Sequence, residues 1–390
     1  MEFIEDNKNE ENQVQKAVIK VIGLGGGGGN AVNHMAKKSE NNDVEFICAN
    51  TDAQHLSGLE VDKTICMGYK STTKGLGAGL KIETGEKAAI EDKEAIKEKI
   101  SDADMLFIAA GMGGGTGTSA APVVANIAKE LEILTVAIVT KPFHFEGPRK
   151  MAVANEGIQR LINEVDSLII LPNDNLLDSL TEAELNDLDL AFACSDDVLF
   201  NSVTSITELI TKPGRINLDF ADVKTVMSVP GKAMMSSGVA SGENRVEKAV
   251  ESALANPLIE GIDLKNAKGA LVNITASKIT VPEFALVGNS IEKYASNNSE
   301  IKIGTSICET MGDSIKVTIV ATGLQPQIII SDSDDSNNHE KEKKKVINTP
   351  ESDDAGHEKI IEIERKFNKG LNNAADTYEI PAYMRLRNHS

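Results

Sequence analysis

The chain has 390 residues, of which 41% are hydrophobic and 25% charged, the composition of a soluble globular protein with room for about two domains. Its net charge of -19 and pI of about 4.8 repel nucleic acid, and the absence of Trp leaves few surfaces for stacking bases, so we expect no nucleic-acid partner. No apolar run approaches the ~20 residues of a membrane helix, and the acidic start of the chain does not resemble a signal peptide, so we expect a cytoplasmic protein without direct membrane insertion.

After a polar arm at residues 1–16, short apolar runs alternate with helix-like segments. The runs are residues 18–24, 45–50, 105–110, 133–139 and 167–171, and the helical segments are 30–38, 91–99, 120–131 and 151–165. Near-continuous hydrophobic strands separated by helices predict an α/β fold with a parallel sheet covered on both faces. Ligands of such sheets lie at the carboxyl ends of the strands.

Two glycine runs fall at that edge. Residues 25–29 follow the first predicted strand, and residues 111–119 (GMGGGTGTS) follow the strand at 105–110 and precede a helix. Glycine turns of this kind present bare N–H groups to an anion, with the positive end of a helix dipole behind them. Two such turns at parallel-strand ends indicate a nucleotide.

The remaining chain predicts a long helix, a smaller α+β domain and a tail. The apolar spacing of residues 188–211 predicts the helix; the following strands and helices predict the α+β domain, with an antiparallel hairpin of residues 301–307 and 316–322. The expected division is 1–16 arm, 17–187 nucleotide-binding domain, 188–212 central helix, 213–324 α+β domain, 325–377 disordered linker and 378–390 recognition peptide.

Local motifs leave two enzyme classes open. Residues 23–28 satisfy G-x-G-x-x-G, which favours an NAD-dependent oxidoreductase with a Rossmann-type domain, but such a domain needs only one pyrophosphate turn. A triphosphate has more charge to neutralise and accounts better for two turns. The P-loop motif is absent, and the four dispersed cysteines predict reduced thiols and no metal site.

The segment GGGTGTS at 113–119 resembles the signature of the tubulin/FtsZ family, and residues 25–30 resemble its first nucleotide loop. The similarity continues through NTDAQ at 50–54, GLGAG at 75–79, PND at 172–174 and NLDFADV at 217–223, and it covers residues 17–323 and the terminal peptide. The resemblance implies a GTPase domain of tubulin/FtsZ type and a GTP-dependent, filament-forming cytoskeletal protein of bacterial cell division.

The resemblance also implies a nucleotide site for GTP or GDP, with Mg²⁺ carried on the phosphates. The residues that match the family's nucleotide contacts are Gly26, Gly27, Gly28, Gly29, Asn30, Ala78, Gly79, Gly113, Gly114, Gly115, Thr116, Gly117, Glu146, Lys150, Asn173, Phe192 and Asp197. Among them Ala78 and Gly79 match the γ-phosphate loop and Glu146 the ribose contact. Asn173 and Asp197 match the guanine-reading positions, and Phe192 lies against the base. An ordinary solvated helix position is the alternative for Asp197.

The acidic residues Asp219 and Asp222 are spaced i, i+3, which places both on one face of a helix that begins near Phe220. One interpretation is capping, with Asp222 as the N-cap residue. The resemblance implies a second interpretation, in which this loop, with Asn217, enters the nucleotide pocket of the next subunit in a head-to-tail filament and orients the attacking water. Hydrolysis then requires self-assembly.

Residues 378–390 resemble the family's adaptor-binding peptide, which implies a membrane-tethering partner and a location at the division site on the inner face of the membrane. Two segments depart from the family pattern: LKIE at 80–83, and PRK at 148–150, which places Lys150 where the family has Arg. These departures leave open a second alternative, a nucleotide-binding scaffold that has lost hydrolysis.

Overall fold

The structure is a computed structural model that describes residues 17–38, 44–177, 187–211, 214–216, 218–255, 267–293 and 299–324. The predicted arm, linker and terminal peptide lie outside the described residues, as does the predicted catalytic residue Asn217.

Six strands of the first half form a parallel sheet. Five of them correspond to the predicted apolar runs, and the short strand Lys63–Cys66 is not predicted by the sequence. The six strands are β1 (Ile19–Leu24), β2 (Val44–Asn50), β3 (Lys63–Cys66), β4 (Met105–Gly111), β5 (Leu134–Lys141) and β6 (Ser167–Pro172), in the order β3-β2-β1-β4-β5-β6. The chain moves outward from β1 to β3 and then returns to add β4 on the other side of β1. The carboxyl ends of β1 and β4 are therefore neighbours at a switch point, where ligands of parallel sheets bind.

Helices cover both faces of this sheet. They are α1 (Gly25–Lys38), α2 (Ala53–Ser57), α3 (Ile82–Glu91), α4 (Lys93–Ile100), α5 (Gly115–Glu130), α6 (Pro148–Leu161), α7 (Asp174–Leu177) and α8 (Leu188–Thr211). One hydrophobic cluster joins α3, α4, α5 and α6 to one face, and a second joins α1, α2 and α8 to the other. Successive strand residues alternate between them, so that Val21 belongs to one cluster and Ile22 to the other. None of the helices in the described ranges combines the length and hydropathy that a membrane span requires.

The second half extends the same sheet. Its elements are α9 (Phe220–Met227), β7 (Gly231–Ser241), α10 (Arg245–Leu254), β8 (Gly269–Ala276), α11 (Val281–Glu292), β9 (Glu300–Ile307) and β10 (Ser314–Leu324). Strand β7 pairs in parallel with β6, and the order continues β7-β10-β8-β9 to give ten strands. The sheet hydrogen bonds thus pass the boundary expected between the two domains, and the division into domains stays a prediction.

The predicted hairpin of the last two strands is wrong. Strand β10 lies between β7 and β8 and is antiparallel to both, whereas β9 pairs in parallel with the far side of β8. The connection between β9 and β10 contains a 3-10 turn (Glu309–Met311), and the N–H of Cys308 bonds to the carbonyl of Ala276 at the end of β8. Two strand spacings are about 10 Å, a distance that six residues cross easily, so a short connection does not require neighbouring strands.

Candidate nucleotide site

The two glycine turns lie side by side at the carboxyl edge of the sheet. The first follows β1 and the second follows β4, and these strands are hydrogen-bonded neighbours. A Cβ atom placed on Gly25 would lie 2.8 Å from the backbone nitrogen of Gly117, and one placed on Gly27 would lie 3.6 Å from Cα of Gly111. The two predicted phosphate turns therefore form one continuous surface of bare backbone.

The helices behind these turns begin earlier than the sequence predicts. Helix α1 begins at Gly25 and α5 at Gly115, each five residues before its predicted start. Glycine disfavours helix interiors, but close packing requires it here: a Cβ on Gly28 would lie 2.2 Å from the carbonyl oxygen of Ala109. Because first-turn amides have no partner within their helix, the early starts direct two sets of N–H donors at this edge.

Hydroxyl groups hold the second turn from behind. The N–H of Gly113 donates to Thr118 Oγ1 at 2.8 Å, and the hydroxyls of Thr116 and Thr51 lie 2.6 Å apart. Gly113 has a φ of 97°, which glycine adopts without strain. A Cβ placed on Gly114 would meet no atom within 4 Å, so the front of the turn is open.

The loop with Ala78 and Gly79 adjoins the second turn. A Cβ on Gly115 would lie 3.1 Å from Cβ of Ala78 and 3.1 Å from Cα of Leu80. Gly79 has a φ of 59°, and a Cβ there would meet nothing within 4 Å. The loop thus lies against the second glycine turn at Ala78 and Leu80, although residues 80–83 differ from the family pattern.

Glu91 anchors this loop, a role that sequence analysis misses. Its carboxylate accepts hydrogen bonds from the backbone N–H and the hydroxyl of both Ser71 and Thr72, at 2.6 to 3.2 Å. The hydroxyl bonds from Ser71 and then Thr72 contribute most to lowering the pKa of Glu91. The sequence signals this contact only weakly, through hydroxyl residues at 71 and 72 and a carboxylate at the end of a helix.

Glu146 and Lys150 form an ion pair beside the second turn. Lys150 Nζ donates to Glu146 Oε2 at 2.6 Å, and the N–H of Phe143 donates to Oε1 at 2.9 Å. A Cβ on Gly113 would lie 2.9 Å from the carbonyl oxygen of Lys150, so this pair adjoins the turn. Both oxygens of Glu146 are therefore hydrogen-bonded within the chain.

Asn173 and Phe192 lie together near the start of α8. Asn173 is 4% exposed, and its Oδ1 accepts from Ser195 Oγ at 2.9 Å, which leaves its amide N–H groups as the donors. The ring of Phe192 meets Phe143 edge-on, with centroids 5.5 Å apart, and Phe143 stacks on Phe145. An apolar wall and a buried amide thus stand beside the first turns of α8.

Asp197 is partly exposed and is paired across to two basic side chains of α1. His34 Nε2 and Lys38 Nζ lie 2.6 and 2.9 Å from the same oxygen, Oδ1. Partial burial opposes ionisation of Asp197, but the hydrogen bonds from Lys38 and His34 prevail and lower its pKa. Burial, and then the charge of Asp197, raise the pKa of the adjacent Asp196 to about 7, so the pKa values of the two neighbours are shifted in opposite directions.

The acidic pair caps α9, with the roles exchanged relative to the capping interpretation. Asp219 is the N-cap residue and its Oδ1 accepts from the N–H of Asp222 at 2.7 Å, so the interpretation of Asp222 as the N-cap is wrong. Lys302 Nζ lies 2.9 Å from Asp222 Oδ1, and its hydrogen bond is the main cause that lowers the pKa of Asp222. Lys302, on β9, supplies the cation that two adjacent carboxylates require, and nothing local in the sequence indicates it.

The acidic pair does not meet the glycine turns within one chain. Asp197, on the nucleotide side, and Leu209 are twelve residues apart on α8, which is about 18 Å along a helix. Leu209 and Leu218, the residue before Asp219, both pack on Gly304 in β9. The acidic pair therefore lies beyond the far end of α8.

Within the described ranges, no group of three or more His, Cys, Asp or Glu side chains is placed to hold a metal ion. All four cysteines are free thiols.

Comparisons with known proteins agree on one family. The model of the Tubulin/FtsZ family GTPase domain matches residues 18–181, and that of the FtsZ family C-terminal domain matches residues 231–325. The Cell division protein FtsZ of Pseudomonas aeruginosa is 54% identical over 315 residues, covering 80% of this chain and 79% of that protein. The same protein of Wigglesworthia glossinidia brevipalpis is 48% identical over 376 residues, covering 95% and 96%.

A solved structure described as an empty FtsZ dimer from M. jannaschii is 42% identical and has a TM-score of 0.75, covering 80% of this chain and 89% of its own. These relatives give no support to an NAD-dependent oxidoreductase, and the matched domain is that of GTPases rather than of inactive scaffolds. The chain belongs to the tubulin/FtsZ family and, within it, to FtsZ, the filament-forming GTPase of cell division.

Proposed function

We propose that this chain binds the phosphates of GTP on the joined surface of its two glycine turns. The observation that carries the proposal is the backbone contact between Gly25 and Gly117, which brings two helix N-termini to one point. Gly26 to Asn30 would hold the α- and β-phosphates, and the turn at 113–117 with Ala78 and Gly79 would hold the β- and γ-phosphates. Aligned N–H donors and two helix dipoles supply the positive potential that a triphosphate needs.

The base and ribose would lie between α1 and α8. Asn173 offers amide donors to the guanine carbonyl, and ionised Asp197 accepts from the guanine N1–H and amino group, a donor pair that adenine does not present. Phe192 covers one face of the base, and Glu146, held by Lys150, accepts from the ribose.

Mg²⁺ would enter with the nucleotide. Mg²⁺ commonly keeps several waters and binds through substrate phosphates, so phosphate oxygens and water would chiefly hold it. Bound there, it would neutralise phosphate charge.

Hydrolysis would occur between subunits. Because Asp219 and Asp222 lie at the far end of α8 from their own phosphate turns, they would act on the nucleotide of the next subunit in a head-to-tail filament. Phosphoryl transfer is accelerated chiefly by placement and electrostatics, so a carboxylate that orients water is sufficient. Asp222 suits that role because its ion pair with Lys302 favours the ionised carboxylate. Its backbone N–H is also held by Asp219 at the start of α9.

The cell-division role would place the filament in the cytoplasm at the division site. Residues 378–390 would bind an adaptor that holds it on the inner face of the membrane.

Complementation between two defective variants tests catalysis at the interface. Asp222→Asn should bind GTP as the wild type does but lose about 10²-fold in turnover, because it removes a placed charge at the reacting centre. Gly114→Ala places a methyl group at the open front of the phosphate turn and should fail to bind GTP. Each variant alone should be nearly inactive, and their mixture should recover phosphate release, since intact pockets then meet intact acidic loops.

The control is Glu247→Gln, which neutralises an exposed carboxylate on α10 and should leave turnover unchanged. Full turnover by Asp222→Asn, or a mixture as inactive as its components, would show that the acidic pair does not complete the site of a neighbour.

A further inference from the structure

A chain of hydrogen bonds leads from the buried end of β2 to the first glycine turn. It starts at Asn50, which is 5% exposed. Asn50 Oδ1 accepts from the backbone nitrogens of Thr51 at 2.8 Å and Asp52 at 3.3 Å. Because a backbone N–H can only donate, these bonds fix which amide atom of Asn50 is the oxygen, and Nδ2 must point the other way.

The orientation of Asn50 determines the tautomer of His55. Asn50 Nδ2 lies 3.2 Å from His55 Nδ1 and can only donate, so Nδ1 must be the acceptor. The ring proton is then on Nε2, which lies 2.9 Å from Asn30 Oδ1. The neutral imidazole is therefore a donor to Asn30.

The third member, Asn30, is fixed in turn. Its oxygen accepts from His55, so its Nδ2 carries two N–H groups that no described residue accepts. Asn30 is exposed in the first part of α1, directly after the glycine turn, and the His55 ring lies along that turn. A Cβ on Gly29 would be 3.1 Å from His55 Cε1, and one on Gly26 would be 4.0 Å from Nε2.

We infer that His55 is a positioning residue for the nucleotide, which holds the Asn30 amide with its NH₂ group toward the nucleotide oxygens. The inference rests on the proposed function, since it needs Asn30 to contact the nucleotide. His55 acts through Asn30 and contacts no reacting atom.

This arrangement requires an unprotonated ring. A proton on Nδ1 would face the N–H of Asn50 Nδ2, so protonation would break the relay.

Calorimetric titration of GDP into the full chain tests the inference. His55→Leu and Asn30→Ala should each weaken GDP binding by about 10-fold, the value of one oriented hydrogen bond, and the double variant should bind no more weakly than Asn30→Ala. His55→Gln keeps an amide donor at the place of Nε2 and should restore binding to within about 3-fold.

Ser57→Ala, on the exposed side of α2, is the control, and thermal unfolding checks that each variant folds. Additive effects of the two single substitutions, or failure of His55→Gln to restore binding, would overturn the role of His55 while leaving the proposed function intact. If Asn30→Ala binds GDP as tightly as the wild type, Asn30 does not contact the nucleotide, and the role of His55 is refuted as well. Failure of the wild type to bind GDP would instead refute the proposed function.

Discussion

The glycines of the two turns serve two different purposes. Gly28 lies where a helix crosses β4, and a Cβ there would be 2.2 Å from the carbonyl oxygen of Ala109. Around Gly114 an added Cβ would meet nothing within 4 Å, and its φ of -85° is open to any residue. The first glycine is required for packing, whereas the second keeps the surface of the turn clear.

Alanine substitutions should separate these purposes. Gly28→Ala forces the backbone of α1 away from β4, and we expect a loss of at least about 2 kcal/mol of unfolding free energy, or failure to fold. Gly114→Ala should have an unfolding free energy within about 0.5 kcal/mol of the wild-type value, yet it should lose GTP binding. Urea denaturation followed by GTP titration measures both, and equal loss of stability in the two variants would contradict the distinction.

Several residues of the site are visible only through partners that are distant in sequence. The sequence predicts Asp197 and Asp222 as functional acids, but His34 and Lys38 are more than 150 positions from Asp197. Lys302 is likewise remote from Asp222. Local spacing carries no signal for such ion pairs, since each depends on which helix or strand packs alongside.

Among the elements of the second half, α10 and α11 are joined by one ion pair. Arg245 Nε donates to Glu283 Oε1 at 2.8 Å, with the two side chains 13% and 21% exposed. Glu283 also caps the start of α11 by accepting from Thr280. The hydrogen bond from Arg245, and then those from Thr280, outweigh burial and lower the pKa of Glu283 to about 2.

This pair should make the stability of the protein depend on pH. A carboxyl group with a folded pKa of about 2 and an ordinary value of 4.5 stabilises the fold above about pH 4.5, and that contribution is lost as the pH falls toward 2. Glu283→Gln keeps a side chain that can complete the cap, so it removes mainly the charge. We expect it to cost about 1 to 2 kcal/mol at pH 7, allowing for solvent screening, and little near pH 2.

Chemical denaturation of the wild type and Glu283→Gln across this range measures the difference, with Glu292→Gln on the exposed side of α11 as the control. A difference in unfolding free energy that stays constant from pH 7 to pH 2 would show that the charge is not responsible.

At the scale of the whole molecule, the nucleotide turns and the acidic pair lie at opposite ends of α8. In the proposed function, a single subunit therefore carries the phosphate turns and the acidic pair without bringing them together. Stacked subunits would bring the acidic loop of one copy to the phosphate turns of the next, and catalysis would follow assembly.

The specific GTPase activity should therefore depend on protein concentration. We expect low phosphate release per subunit when the protein is dilute, and a steep rise once filaments sediment in GTP but not in GDP. Asp222→Asn should sediment in GTP but release little phosphate. A constant activity per subunit on dilution would indicate a self-contained enzyme.

The sequence by itself determined the parallel sheet of the first half apart from β3, the helix Leu188–Thr211, and the position of the glycine turns after β1 and β4. These features follow from hydrophobic periodicity and from glycine in turns, which act over a few neighbouring residues. It did not determine where α1 and α5 begin, because the packing that favours helix at their glycines comes from β4 and from the other turn.

Only the tertiary structure decided the order β7-β10-β8-β9, the meeting of the two turns, and the pairing of Asn30 with His55 and of Asp222 with Lys302. Strand order and side-chain partners depend on how distant segments pack, and many arrangements satisfy the same local pattern. The physical reason is that hydrogen bonds and ion pairs require contact in space, which the completed fold alone provides.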